Sequence, residues 1–136
     1  MKSIKYTDNE LNIDNVSFSK IDKAFSTPCY IYSQDTILKN LNDYRANLSS
    51  SDLVCYSIKS SNNLAILKLI ASNNYGFDVV SMGELQKALH VKADPKKIVF
   101  SGVGKTEEDL SYAIVNKIKS INVESYSELK LINALS

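Results

Sequence analysis

From about residue 27 onward, two periodicities take turns along the chain. Short runs rich in β-branched and aromatic residues predict strands, and stretches with apolar residues three and four apart predict amphipathic helices. Residues 27–32 (Thr-Pro-Cys-Tyr-Ile-Tyr) predict a strand with Pro28 at its opening. Ser33 or Asp35 then caps a helix carrying Ile37, Leu38, Leu41, Tyr44 and Leu48 on one face. The polar run 49–52 ends it. Beyond it the pattern repeats: strand 53–59 with helix 63–73, strand 77–81 with helix 83–90, strand 97–101 with helix 106–117, and strand 120–124 with a helix from 127 onward. Strand starts at 53, 77, 97 and 120 lie 24, 20 and 23 residues apart, so one βα module recurs four times without repeating its sequence. Residues 1–26 interleave polar residues with single apolar ones and predict an irregular segment.

Strands such as Ile98-Val99-Phe100 are apolar on both faces, which marks buried parallel strands. Strands alternating with helices imply right-handed crossovers and a parallel sheet. Two architectures accept four such units: a small open doubly wound sheet, or part of a (β/α)8 barrel, which takes about 250 residues. A dinucleotide-binding sheet needs G-x-G-x-x-G after its first strand. Here that turn is Ser60-Ser61-Asn62-Asn63, and the G-x-G at Gly102-Val103-Gly104 lacks the third glycine.

Composition narrows the function. With 136 residues, 44% of them hydrophobic, the chain has the apolar mass for a core, which excludes a disordered tail. It has no apolar run near the ~18–20 residues of a membrane span. A net charge of +1 gives no footprint for nucleic acid or an anionic membrane. Cys29 and Cys55, with a single histidine, make neither a metal cluster nor a His-based triad. The first ten residues lack the apolar core of a signal peptide, so the expectation is a cytoplasmic protein with reduced thiols.

Candidate chemistry gathers at strand ends. On strand 53–59, Val54, Tyr56 and Ile58 face one side, and Leu53, Cys55, Ser57 and Lys59 the other. If the sheet closes into a barrel, Lys59 points inward at the C-terminal mouth, where barrel active sites are built, and becomes a Schiff-base candidate. A strand-end lysine that merely reaches water is the commoner case. Asp78 interrupts the apolar run 76–80, and a buried acid needs a partner, for which a cation on the neighbouring strand would serve. Glu84 falls in the first turn of the next helix, where the dipole favours an acid. Gly102 to Thr106 ends in Gly-Lys-Thr, but the G-x-x-x-x-G-K-[ST] spacing of a nucleotide triphosphate loop is absent. Thr106 with Glu107, Glu108 and Asp109 reads as an N-cap and acidic first turn. His90 reads as a solvated helix-end residue.

Together these segments resemble the fold-type III pyridoxal-phosphate decarboxylases. Tyr56-Ser57-Ile58-Lys59-Ser60-Ser61-Asn62 is similar to their Y-x-[VI]-K-[AS] segment, and residues 76–85 to their second-strand motif. Residues 98–106 and 121–125 resemble diaminopimelate decarboxylases more than ornithine or arginine decarboxylases, and 27–32 is similar to the start of the same enzymes. The resemblance implies the first four βα units of a (β/α)8 TIM barrel of the alanine racemase-like type, over residues 36–136. Residues 1–35 would then hold a strand belonging to a C-terminal β domain. It implies Lys59 as the lysine that binds pyridoxal 5'-phosphate, with Asp78 and Glu84 on the cofactor side of the pocket. Ser57 and Ser60 depart from alanines common in the family, and Met82 from a frequent glycine. The implied function is the N-terminal part of a carboxy-lyase converting meso-diaminopimelate to L-lysine and CO2. Such an enzyme takes a small amino-acid substrate and works as a homodimer at full length, so these residues alone are expected to be inactive. The alternatives are a non-catalytic pyridoxal-phosphate barrel remnant and an ornithine- or arginine-type fragment.

Overall fold

The computed structural model describes residues 3–136. They divide into two compact units, one ending at Asp52 and one spanning Leu53–Ser136.

The first unit holds a three-stranded antiparallel sheet, β1 (Ile4–Thr7), β2 (Glu10–Ile13) and β3 (Val16–Ser17), followed by α1 (Phe18–Phe25) and α2 (Gln34–Ala46). This corrects the irregular segment expected over residues 1–26. The strands are joined by two-residue turns, Asp8-Asn9 and Asp14-Asn15, all four residues at φ between 47° and 66°. Two consecutive positive φ values make the hairpin turn whose twist matches that of the strands, and Asp and Asn tolerate it. The Asp14 carboxylate then receives the Ser33 hydroxyl at 2.7 Å and the Asp35 N–H at 3.2 Å, while Ser33 caps α2. Residues 27–32, expected as a strand of a C-terminal β domain, belong to neither sheet of the described residues. Pro28 has no N–H to donate, and without a neighbouring strand Tyr30 and Tyr32 stay exposed.

The second unit is a four-stranded parallel sheet in the order β4 (Cys55–Ser57), β5 (Gly76–Val79), β6 (Ile98–Phe100) and β7 (Ser120–Ile121). Between and after the strands come α3 (Leu64–Ser72), α4 (Met82–His90), α5 (Glu107–Val115) and α6 (Tyr126–Leu135). The βα alternation is the one read from the sequence. Each strand lies beside its predecessor, so the sheet has no switch point of the kind that defines a doubly wound fold.

Register sorts the side chains. Phe77 pairs with Ile98 and Val79 with Phe100, and all four are fully buried together with Leu67, Ile70, Leu85 and Leu110 from the helices. Tyr56 meets Phe77 edge-on at 6.3 Å. On the opposite pleat Cys55 pairs with Gly76 and Ser57 with Asp78, a face of small and polar residues. Gly76 is required there: a Cβ would lie 2.3 Å from the Lys97 carbonyl oxygen and 2.9 Å from Cys55 Sγ. Among the described residues no helix is long and apolar enough to cross a membrane.

Candidate functional site

β4 is shorter than the expected strand. After Ser57 the chain turns into a 3-10 segment, Ile58–Ser60, and the Ser60 hydroxyl closes it by donating to the Ser57 carbonyl at 2.8 Å. Lys59 therefore stands on a turn just past the strand, not on its last inward position, while Ile58 plugs the core. Its side chain is exposed and makes no hydrogen bond or ion pair among the described residues. A primary amine at the C-terminal end of a strand, with no partner, is available to an incoming carbonyl.

Asp78 is half-buried on the polar pleat, and its partners are hydroxyls, not the lysine expected from the sequence. Ser57 Oγ donates to its Oδ2 at 3.2 Å, and Ser101 Oγ to its Oδ1 at 2.5 Å. Strand register accounts for both contacts. Ser57 is the direct neighbour of Asp78 on β4. On β6, Val99 is its neighbour, and Ser101 lies two residues further along on the same pleat. Asn122, past the end of β7, donates from Nδ2 to Ser101 Oγ at 3.0 Å. A line of hydrogen bonds thus runs across the ends of all four strands. The negative Asp78 is also felt by Cys55: burial pushes that thiol up first, Asp78 adds to it, and Lys119 opposes.

Glu84 closes the turn between β5 and α4. Its Oε2 accepts the Val80 N–H at 2.8 Å, and its own N–H donates to the N-cap Ser81 hydroxyl at 3.3 Å. One residue farther out than a regular capping box, this exchange fixes the exit of the strand that carries Asp78. The structure does not bring the three predicted site residues into one hydrogen-bonded group: Asp78 joins Ser57 and Ser101, Glu84 joins backbone, and Lys59 stands without a partner.

The sequence missed Lys105 altogether as a structural centre. Its ammonium donates to the carbonyls of Gly102 at 2.6 Å and Asn122 at 2.8 Å and to Glu128 Oε1 at 2.7 Å, with the two side chains 1% and 9% exposed. Gly102 at φ 93° aims its carbonyl into this arrangement, a conformation a side chain would resist. Only the lysine's place in a glycine-flanked loop hinted at it. Asp109 is the other engaged acid: burial pushes its carboxyl up, but hydrogen bonds from Thr106 Oγ1, Thr106 N–H and Met82 N–H outweigh that and hold it below the usual carboxylate range. Among the described residues no group of three or more His, Cys, Asp or Glu side chains is placed to hold a metal ion.

Residues 34–136 match the family described as pyridoxal-dependent decarboxylase, pyridoxal binding domain. The chain belongs to this family. A diaminopimelate decarboxylase of Pseudomonas aeruginosa is 40% identical over 131 residues, 96% of this chain and 32% of the relative. Among solved structures, a protein of Aquifex aeolicus superposes with a TM-score of 0.92 at 38% identity, covering 98% of this chain and 33% of that one. The diaminopimelate decarboxylase of M. jannaschii, solved in complex with L-lysine, gives 0.89 at 35% identity, with 98% of this chain and 32% of that one covered. The chain is therefore a diaminopimelate decarboxylase homologue. It spans about a third of the length of the relatives it matches and corresponds to the N-terminal part of their structures.

Proposed function

We propose that this chain supplies the lysine-bearing part of a pyridoxal-phosphate-dependent carboxy-lyase that converts meso-diaminopimelate to L-lysine and CO2. The observation that carries the reading is the exposed, unpartnered amine of Lys59 at the end of β4, inside the family match and two residues past the Ser57–Asp78 pair. That donor set fits the cofactor, since an aldehyde needs a primary amine not already committed to a salt bridge. Pyridoxal phosphate, when bound, supplies the electron sink for the charge left on carbon as CO2 departs.

The chain's own residues then have separable tasks. Lys59 is the residue that would hold the cofactor, through its primary amine. Asp78, held at both oxygens by hydroxyls, provides a fixed acceptor on the polar pleat beside the lysine-bearing turn. Glu84 keeps the β5–α4 turn in shape by holding the Val80 N–H. In this reading β4 to β7, within residues 36–136, are the first four staves of a (β/α)8 barrel. The complete enzyme is then a homodimer acting on a small amino acid.

The test is decarboxylation by the protein made from its full natural reading frame, loaded with pyridoxal phosphate. CO2 release from meso-diaminopimelate, and not from ornithine or arginine, is expected, and Lys59→Ala is expected to abolish it. Release from ornithine or arginine alone would reject the substrate. A Lys59→Ala variant with undiminished turnover would reject the lysine.

A further inference from the structure

Lys105 is the most completely dehydrated charge among the described ion pairs. An ammonium has three protons to donate. All three have acceptors here: the Gly102 carbonyl, the Asn122 carbonyl and Glu128. Phe100 adds its ring 6.0 Å from Nζ. A sealed ammonium of this kind has no proton or lone pair to offer a ligand. It does join three pieces of chain that the sequence keeps apart: the loop after β6, the loop after β7 and the first turn of α6.

Two of those attachments lead to Asp78. Gly102 directly follows Ser101, whose hydroxyl donates to Asp78 Oδ1. Asn122 gives its carbonyl to Lys105 and its side-chain amide to the same Ser101 hydroxyl. Ser101 is therefore held from both sides by groups that Lys105 fixes. With Asn122 donating to its oxygen, the Ser101 proton is directed at the carboxylate.

We infer that Lys105, clamped by Glu128, is a positioning residue that holds Ser101 and Asn122 in place and through them sets the orientation of the Asp78 carboxylate. The relevance to decarboxylation rests on the cofactor reading above; the linkage to Asp78 does not.

Removing one partner of a buried pair leaves a charge stranded, so a single variant is prone to fail in folding. Lys105→Met/Glu128→Leu removes both charges at similar volume and keeps the fold accessible. The measurement is the carboxyl carbon resonance of Asp78 by NMR at one fixed neutral pH, in the full-reading-frame protein without cofactor. The double variant is expected to move that resonance by more than its line width, because the carboxylate loses the hydroxyl directed at its Oδ1. In a Ser101→Ala background the same double variant is expected to produce little further shift. An unmoved resonance overturns the inference. So does a shift that persists in full in the Ser101→Ala background, which would make the effect a direct field of the ion pair. The cofactor reading fails separately: its sign would be a parent protein that gains no Lys59-dependent absorbance band with pyridoxal phosphate, whatever the Asp78 resonance shows.

Discussion

Leu53–Ser136 seals Phe77, Phe100, Leu67, Leu85 and Leu110 completely from water, whereas before Asp52 only Ile13 is buried among the described apolar side chains. In the earlier unit Tyr30 is 93% exposed and Tyr6 75%, and neither α1 nor α2 has a buried residue. The earlier unit takes its shape from turns and caps: two Asp-Asn hairpin turns and the Asp14–Ser33 link. The later one takes its shape from a packed sheet and helices, and the candidate chemistry lies on that rigid part. A polar row such as Ser57, Asp78, Ser101 and Asn122 keeps its geometry only where the strands beneath it cannot slide. The dense core on one pleat is what permits the polar line on the other.

This contrast can be broken by matched truncations. Phe77→Ala should cost about 3–5 kcal/mol in denaturant unfolding, the range for a buried aromatic. Tyr6→Ala or Tyr30→Ala should stay within about 0.5 kcal/mol. A large loss at Tyr30 would show that the earlier unit has a core of its own. Next in size, Gly76→Ala should cost about 2–3 kcal/mol, since its Cβ would press on the Lys97 carbonyl and Cys55, both part of the packed sheet. Ser33→Ala should cost about 1 kcal/mol, read as faster amide exchange in the first turn of α2 alone.

The smallest effect is one of pH. Hydrogen bonds hold Asp109 below the usual carboxylate range in the folded chain. A depressed folded pKa gives stability that is full above the unfolded value, near pH 4, and is lost as pH falls through the folded one. Asp109→Asn should therefore flatten the acid limb of the stability curve below about pH 4 and leave its shape at neutral pH unchanged. An acid limb as steep as the parent's would remove Asp109 from the account.

Reading by period recovered the later unit well. The four βα units emerged because Phe77, Val79, Ile98 and Phe100 are apolar on strand spacing, and because Thr106 caps α5 where it was expected to. The hairpins of the earlier unit escaped because their strands are only two to four residues long and too exposed to show an apolar face. The two Asp-Asn pairs were the available signal. At the candidate site, the contacts of Lys59 and Asp78 were not legible in the sequence. The 3-10 turn at Ile58–Ser60 depends on a serine hydroxyl competing with the strand, a local choice that alternation does not register. The Lys105–Glu128 pair joins residues 23 apart, a match that only the folded sheet makes.

Lys59 and Lys105 turn the account into one decisive contrast, an exposed amine without a partner against a sealed one with three. Borohydride reduction of the full-reading-frame protein with stoichiometric pyridoxal phosphate, followed by peptide mass mapping, reads both residues at once. The account predicts the phosphopyridoxyl mass on Lys59 and none on Lys105. Label on other lysines with Lys59 unmodified would contradict it.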